Sequence, residues 1–207
     1  MTQRCARVIS GAFLGLVNNR ALRSRCSGVG HFSPTKVTNY GIHGVIARAS
    51  GVAVDLRLGL GGPTYAAYGA LSVRSFVGRR GDCYDRFVVR ARELLTSYKL
   101  LGSARQPAAD KRPKTESMEA VIMHFKASCG SGSVGERGLG VSSVEGPKGC
   151  VTVSVINTGG QLPHRLHVRS PVAHNLHLLD TAATNVTFAD FVATFCSLDV
   201  VLGEIDR

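Results

Sequence analysis

The stretch RGDCYDRFVVRARELLTSYKLLG, residues 80–102, organises the reading of this chain. Tyr84, Phe87, Val88, Ala91, Leu94, Leu95, Tyr98 and Leu101 recur at helical spacing, which places them on one face of an α-helix. Arg86, Arg90, Glu93 and Ser97 take the other side. Asp82 is placed to cap the first turn and Gly102 to end the last. The opening is dense in charge, with Asp82, Asp85 and Arg86 around Tyr84. Capping plus an exposed i,i+4 pair worth about a few tenths of a kcal/mol is the simple reading. A buried ion network that holds the helix in one orientation is the functional one.

Downstream, a polar, Pro-containing linker leads to a second helix over Ser117–Cys129. Its stripe is Met118, Val121, Ile122 and Phe125, and Gly130 stops it. The period then changes. Val151, Val153 and Val155 alternate with Thr152 and Ser154, residues 157–160 turn, and Leu166 and Val168 alternate with Arg165, His167 and Arg169. This predicts a β-hairpin with one apolar and one basic face. A last helix spans Thr187–Leu198 with Phe188, Phe191, Val192 and Phe195 on one side, and Thr187 and Asp190 sit near capping-box spacing. Gly59-Leu60-Gly61-Gly62-Pro63 reads as a turn, because no Lys-Ser/Thr follows it as a phosphate loop requires. Long helices plus a hairpin make an α+β chain, with too few elements for a closed architecture.

Composition narrows the function. The 207 residues are 44% hydrophobic, enough for a real core, and no apolar run reaches the roughly 18–20 residues of a membrane span. The formal charge is +11, which favours an anionic partner. The six cysteines include no C-x-x-C pair and read as mostly buried, reduced thiols. His164 and His167 would point to opposite faces of a strand, and His174 and His177 lie in a loop after Pro171, so neither pair predicts a metal site. The opening MTQRCARVISGAFLGL is basic, amphipathic and acid-free, the composition either of a mitochondrial targeting segment or of a short N-terminal helix with a solvated basic side. Residues 1–15 are therefore set apart as a basic extension.

A series of motifs carries a resemblance. Residues 80–86 resemble the RGDCYDR signature of the 49-kDa subunit family of respiratory complex I, the proton-pumping NADH:ubiquinone oxidoreductase. Collinear with it are Asn18-Asn19-Arg20, Asn39-Tyr40-Gly41, Asp55-Leu56-Arg57, Ser117-Met118-Glu119 with His124-Phe125-Lys126, Glu145 with Pro147-Lys148-Gly149, Arg169-Ser170-Pro171, and the tail Asp199–Arg207, which is nearly DIVFGEIDR. The resemblance runs over residues 16–207 and covers the C-terminal half of the family. It implies an incomplete half of the hydrogenase large-subunit-like fold, with a separate chain resembling the N-terminal half that supplies the headgroup-binding His and Tyr.

The resemblance also implies a role. Such a subunit binds no redox centre by itself and walls a ubiquinone pocket beside the terminal 4Fe–4S cluster of an adjacent subunit, without independent activity. Asp199 and Val201 match quinone-pocket positions, with no catalytic and no metal residue assigned. Asp82, Asp85, Arg86, Glu204, Asp206 and Arg207 are expected in structural ion networks, the tail residues as a buried charged set. Expected partners are the N-terminal-half chain, the cluster-bearing subunit, a 30-kDa-type subunit and membrane-arm subunits, on the matrix side of the mitochondrial inner membrane, with no nucleic acid. The sequence departs from the family at Cys150, Val186 and residues 128–140. Hydrogenase-type metal binding is not expected, since residues 203–207 lack Cys. A purely structural or assembly subunit, or a basic RNA- or ribosome-binding protein, are the alternatives.

Overall fold

Asp82 starts the long central helix as its sequence predicts. Its Oδ1 accepts from the backbone N–H of Asp85 at 2.8 Å, and α5 (Cys83–Ser103) follows, running through Gly102, which the sequence places just past the helix end. The structure is a computed structural model that describes residues 2–59, 68, 71, 73–103, 117–130, 137–159 and 162–206, without the side chains of 2–7, 9, 14, 102, 103 and 127–130. Arg207 and most of the 59–63 turn therefore lie outside the described residues.

The chain divides into two compact units. The first comprises residues 1–104, 143–151 and 169–207; the second comprises 105–142 and 152–168. In the first unit, α1 (Thr2–Val17) lies along α5. Phe13 stacks on Phe87 with ring centroids 5.8 Å apart, and the Tyr84 hydroxyl donates to the Val17 carbonyl at 3.1 Å. Next come α2 (Arg20–Cys26), capped by the Asn19 side chain, and α3 (Pro34–Asn39), capped by Ser33 with Pro at its first position. After α4 (Val45–Ala49), the chain makes a short 3₁₀ turn at Leu56–Leu58. The core gathers Phe32, Val37, Ile42, Ile46, Ala47, Leu178, Ala182 and Leu198. Val37, Ile46, Ala47 and Ala182 come from helices of four to six residues, too short to show a hydrophobic period in the sequence.

The second unit contains α6 (Met118–Gly130), close to the expected bounds. Three strands, β1 (Gly138–Gly146), β2 (Gly149–Asn157) and β3 (Arg165–Arg169), form one sheet in the order β1-β2-β3. The β2–β3 pair is the predicted hairpin. β1 was not legible, because its GLGVSSVEG opens in glycine and small residues. Leu166, assigned to the hairpin's apolar face, is exposed. At the end of the chain come α7 (Pro171–Leu176), α8 (Leu179–Ala182), α9 (Phe188–Leu198) and α10 (Leu202–Asp206). Thr187 caps α9, its Oγ1 accepting from the Asp190 N–H at 3.3 Å.

Three expectations are corrected. First, the faces of α5 are partly inverted. Arg86, placed on the solvated side, is fully buried, whereas Leu94 and Leu101 on the apolar side are exposed. Second, His174 lies on a helix and not in a loop, its Nε2 accepting from Arg169 Nε at 3.1 Å, while His177 stacks on Tyr40. Third, the stripes of α6 and α9 are not core. Met118, Ile122 and Phe125 are exposed, and Phe188 on α9 is 81% exposed. The cysteines are likewise mixed: Cys83 is buried, Cys26 and Cys150 half-buried and Cys196 exposed, all four free.

Arg86 satisfies its burial through neutral acceptors. Its guanidinium donates to Gly81 O (2.9 Å), Gly30 O (2.9 Å), Ser197 Oγ (3.0 Å) and Cys83 Sγ (3.2 Å), and lies 4.8 Å over the Phe32 ring. Burial pulls its pKa below the ordinary arginine value. Asp82 Oδ2 accepts from the Gly28 N–H, and Asp85 Oδ2 from the N–H groups of Arg79 and Arg80. In place of the expected ion network, the described hydrogen bonds of Asp82, Asp85 and Arg86 run to backbone groups and to the neutral side chains of Ser197 and Cys83.

Gly81 sits at the centre of this arrangement with φ +68°, and a Cβ there would lie 2.4 Å from the Phe32 carbonyl oxygen. Gly81→Ala is expected to lower stability by more than about 1 kcal/mol, because neither the backbone angle nor the Phe32 carbonyl can yield cheaply. Chemical denaturation monitored by circular dichroism checks this; an unchanged midpoint would refute it.

Candidate functional site: a guanidinium–carboxylate cluster sharing a cavity with the tail

Arg48 lies on α4 with its side chain 1% exposed, a charge that must be matched locally. Its Nη1 meets Glu145 Oε1 at 2.8 Å and Asp55 Oδ2 at 3.6 Å, and its Nη2 meets Glu93 Oε1 at 2.9 Å. Arg57 grips Asp55 in a two-point fork, Nε to Oδ1 at 2.9 Å and Nη2 to Oδ2 at 2.7 Å, and reaches Glu93 at 3.2 Å. Two guanidiniums therefore face three carboxylates drawn from α5, the 55–57 turn and β1. The Arg48 Nε finds no partner among the described residues.

The electrostatics follow from this packing. Burial pushes the Asp55 carboxyl up, but the hydrogen bond from Arg57 and the charges of Arg48 and Arg57 outweigh it and hold the pKa below the usual carboxylate range. The Arg57 guanidinium is driven above its ordinary value, chiefly by its hydrogen bond to Asp55. On the next turn of α5, burial pulls the Arg90 pKa down against the opposing pull of Asp199 and Glu93.

This cluster borders a cavity of about 450 Å³ whose lining includes Val45, Tyr68, Arg90, Leu94, Pro147 and Asp199. Its size falls within the range of small-molecule sites, roughly 300–1,000 Å³. Asp199 adopts the left-handed conformation (φ 55°, ψ 49°) as the C-cap of α9, which turns the tail sharply. Its carboxylate lies 3.7 Å from Lys148 Nζ, and the same ammonium lies 3.7 Å from Glu204, which also accepts from Ser170 Oγ at 3.2 Å.

Among the sequence-derived residues, Asp199 reaches the cavity. Val201 is 46% exposed and does not line it. The tail is not a buried charged set in this chain: the Asp199 side chain is 52% exposed, Glu204 is half-buried and Asp206 is exposed. The buried set is instead Arg48, Asp55 and Glu145, with Arg57 and Glu93 half-buried beside it. Sequence reading missed it as a site, although Asp55, Arg57 and Glu145 stand in the collinear motifs. Five charged residues spread between positions 48 and 145 offer no local spacing to read.

Removing one member leaves the others buried and unbalanced. Arg48→Met is expected to cost about 3–5 kcal/mol. Asp55 binds its proton less tightly folded than unfolded. Its contribution is therefore complete above the ordinary carboxylate pKa of about 3.9 and is lost as pH falls through the depressed folded value. Asp55→Asn should accordingly flatten the acid limb of a stability–pH profile measured by denaturant titration; an unchanged limb would refute the assignment.

The sequence profile described as "Respiratory-chain NADH dehydrogenase, 49 Kd subunit" matches residues 3–207. A subunit of the NADH-quinone oxidoreductase of Legionella pneumophila (strain Corby) is 34% identical over 222 residues, covering 100% of this chain and 52% of the relative. The same-named subunit of the Wolbachia from Brugia malayi is 35% identical over 206 residues, covering 93% and 52%. The NADH-ubiquinone oxidoreductase 49 kDa subunit of Paramecium tetraurelia is 31% identical over 226 residues, covering 98% and 56%. The chain thus spans about half the length of the curated relatives it matches. A match from residue 3 to residue 207, through the α5 signature, the cluster's own motifs and the tail, means that the chain belongs to the family of the 49-kDa subunit of respiratory-chain NADH dehydrogenase.

Proposed function

We propose that this chain is a subunit of the quinone-reducing module of proton-pumping NADH:ubiquinone oxidoreductase, where it walls part of the ubiquinone pocket. The observation that carries the reading is Asp199. It lies in a tail that follows the family pattern, in a strained backbone turn, at the lining of a cavity backed by fixed guanidiniums. Ubiquinone supplies the redox chemistry, receiving electrons from a 4Fe–4S cluster held by an adjacent subunit. The cavity suits such a ligand in kind, with apolar Val45, Leu94 and Pro147 beside the polar groups of Arg90, Tyr68 and Asp199. The residues of this chain orient and tune. Arg90 brings a guanidinium to the cavity lining beside Asp199, the Arg48 cluster fixes α4 against α5, and Lys148 holds the Asp199 carboxylate while leaving it open to water. Val201 offers an exposed apolar contact two residues further on.

In this reading the chain works inside the assembly. Its partners are a polypeptide resembling the other half of the relatives' length, the cluster-bearing subunit, a 30-kDa-type subunit and membrane-arm subunits. The setting is the matrix side of the mitochondrial inner membrane, which the basic, acid-free start supports. The hydrogenase large-subunit-like fold is completed there. Affinity purification in mild detergent should recover the other-half polypeptide together with the cluster-bearing subunit.

The Glu204 contacts to Lys148 and Ser170 also suit a structural clasp, so the test separates the two roles. In the intact complex, Val201→Trp should shift quinone-site inhibitor sensitivity by about tenfold, equivalent to about 1.4 kcal/mol of binding. Asp199→Asn should lower quinone reduction while electron transfer from NADH to a water-soluble acceptor persists. Inhibitor sensitivity and quinone turnover unchanged in both variants would leave the tail a clasp only.

A further inference from the structure

A second cavity, of about 400 Å³, lies where α1, the 77–80 turn and α5 meet, apart from Asp199 and the Arg48 cluster. Its rim carries the exposed guanidiniums of Arg23, Arg79, Arg80 and Arg92, and its floor is made of valines from the same three elements. Asp85 is the one carboxylate in the lining, and one of its oxygens is already occupied by the backbone N–H groups of Arg79 and Arg80. Two of the arginines are held over rings: Arg23 lies 5.9 Å from the centroid of Tyr84, and Arg92 6.0 Å from that of Phe76. The rim is therefore a set of partly pre-ordered forks of one sign around an apolar depression.

From this geometry we infer that the cavity is a docking site for an acidic polypeptide segment of a neighbouring subunit, with an apolar side chain seated on the valine floor and flanking carboxylates taken by the arginines. The inference rests on the reading that the chain works within a multi-subunit complex. Charge complementarity selects the partner, because four guanidiniums gathered about one engaged carboxylate need anions, and the guanidinium fork matches a carboxylate at two points. The depression selects a polypeptide over a membrane surface. A bilayer presents its phosphates in a plane, whereas one seated apolar anchor ringed by polar contacts is the pattern of a protein interface. The same contacts account for part of the +11 charge without nucleic acid.

The test uses the full chain and a dye-labelled peptide, Glu-Glu-Leu-Glu-Glu, followed by fluorescence anisotropy. The wild-type chain should bind it and should not bind the matching Lys-Lys-Leu-Lys-Lys peptide. The double variant Arg79→Gln, Arg80→Gln should weaken binding roughly 20-fold, about 4–5-fold for each exposed charge pair. Arg165→Gln, which removes an exposed guanidinium on β3 outside the cavity, should leave it unchanged. If far-UV circular dichroism shows that the double variant has lost helix, Arg92→Gln alone replaces it, with an expected loss of about 4–5-fold. An equal loss in Arg165→Gln would overturn the inference in favour of net charge. Binding to phosphatidylglycerol-containing vesicles but not to the peptide would overturn it in favour of a membrane, and displacement of the peptide by millimolar inorganic phosphate in favour of a simple anion site. Because the assay needs only this chain, its outcome is independent of the inhibitor and turnover test on the complex.

Discussion

A single buried guanidinium, that of Arg86, ties the first unit together. It reaches from the start of α5 to the carbonyls of Gly30 and Gly81 and to Ser197 at the end of α9, and so joins three segments far apart in the chain. No carboxylate pairs with it among its described hydrogen bonds. Its charge is spread over neutral acceptors and the face of Phe32, an arrangement that only the planar, multi-donor guanidinium supports. Lysine could not serve all of these directions at once. Gly81 has to be glycine for the related reason that the loop passes directly beneath the Phe32 carbonyl.

The Arg48 cluster is built on the opposite principle, opposed charges in close register. The two arrangements lie at successive turns of one helix: Arg86 at its start, then Arg90 facing the cavity, then Glu93 joining the cluster. α5 is thus a spine along which buried charge is first braced by carbonyls and then balanced by carboxylates. Asp199 meets this spine from the other side of the cavity, held by the same Lys148 that grips Glu204.

The long elements were legible in the sequence because each carries a full period or a cap. α5, α6 and α9 appear close to their predicted bounds, and the Asp82 and Thr187 caps are in place. The faces were less legible. A hydrophobic stripe marks where apolar residues lie, not what covers them, so Phe188 and Phe125 read as core although they face outward, while Arg86 reads as solvated although it is buried. Hydrogen-bond supply decides the burial of an arginine, and that supply comes from Gly30, Gly81 and Ser197, which no local pattern connects. The short helices that supply half of the main core cluster fall below one hydrophobic period. The collinear motifs named the family where periodicity could not, because they rest on residue identity in order along the chain and need no hydrophobic period.

The outward aromatic face of α9 bears on the fate of the free chain. Phe188, Val192 and Phe195 recur at helical spacing and remain open to solvent. Newly made copies carry an adhesive strip that water disfavours and other unfolded chains would seize. A chain whose aromatic strip stays open is one that chaperones and proteases engage readily, so its lifetime in the free state depends on that one helix face as well as on the stability of the core.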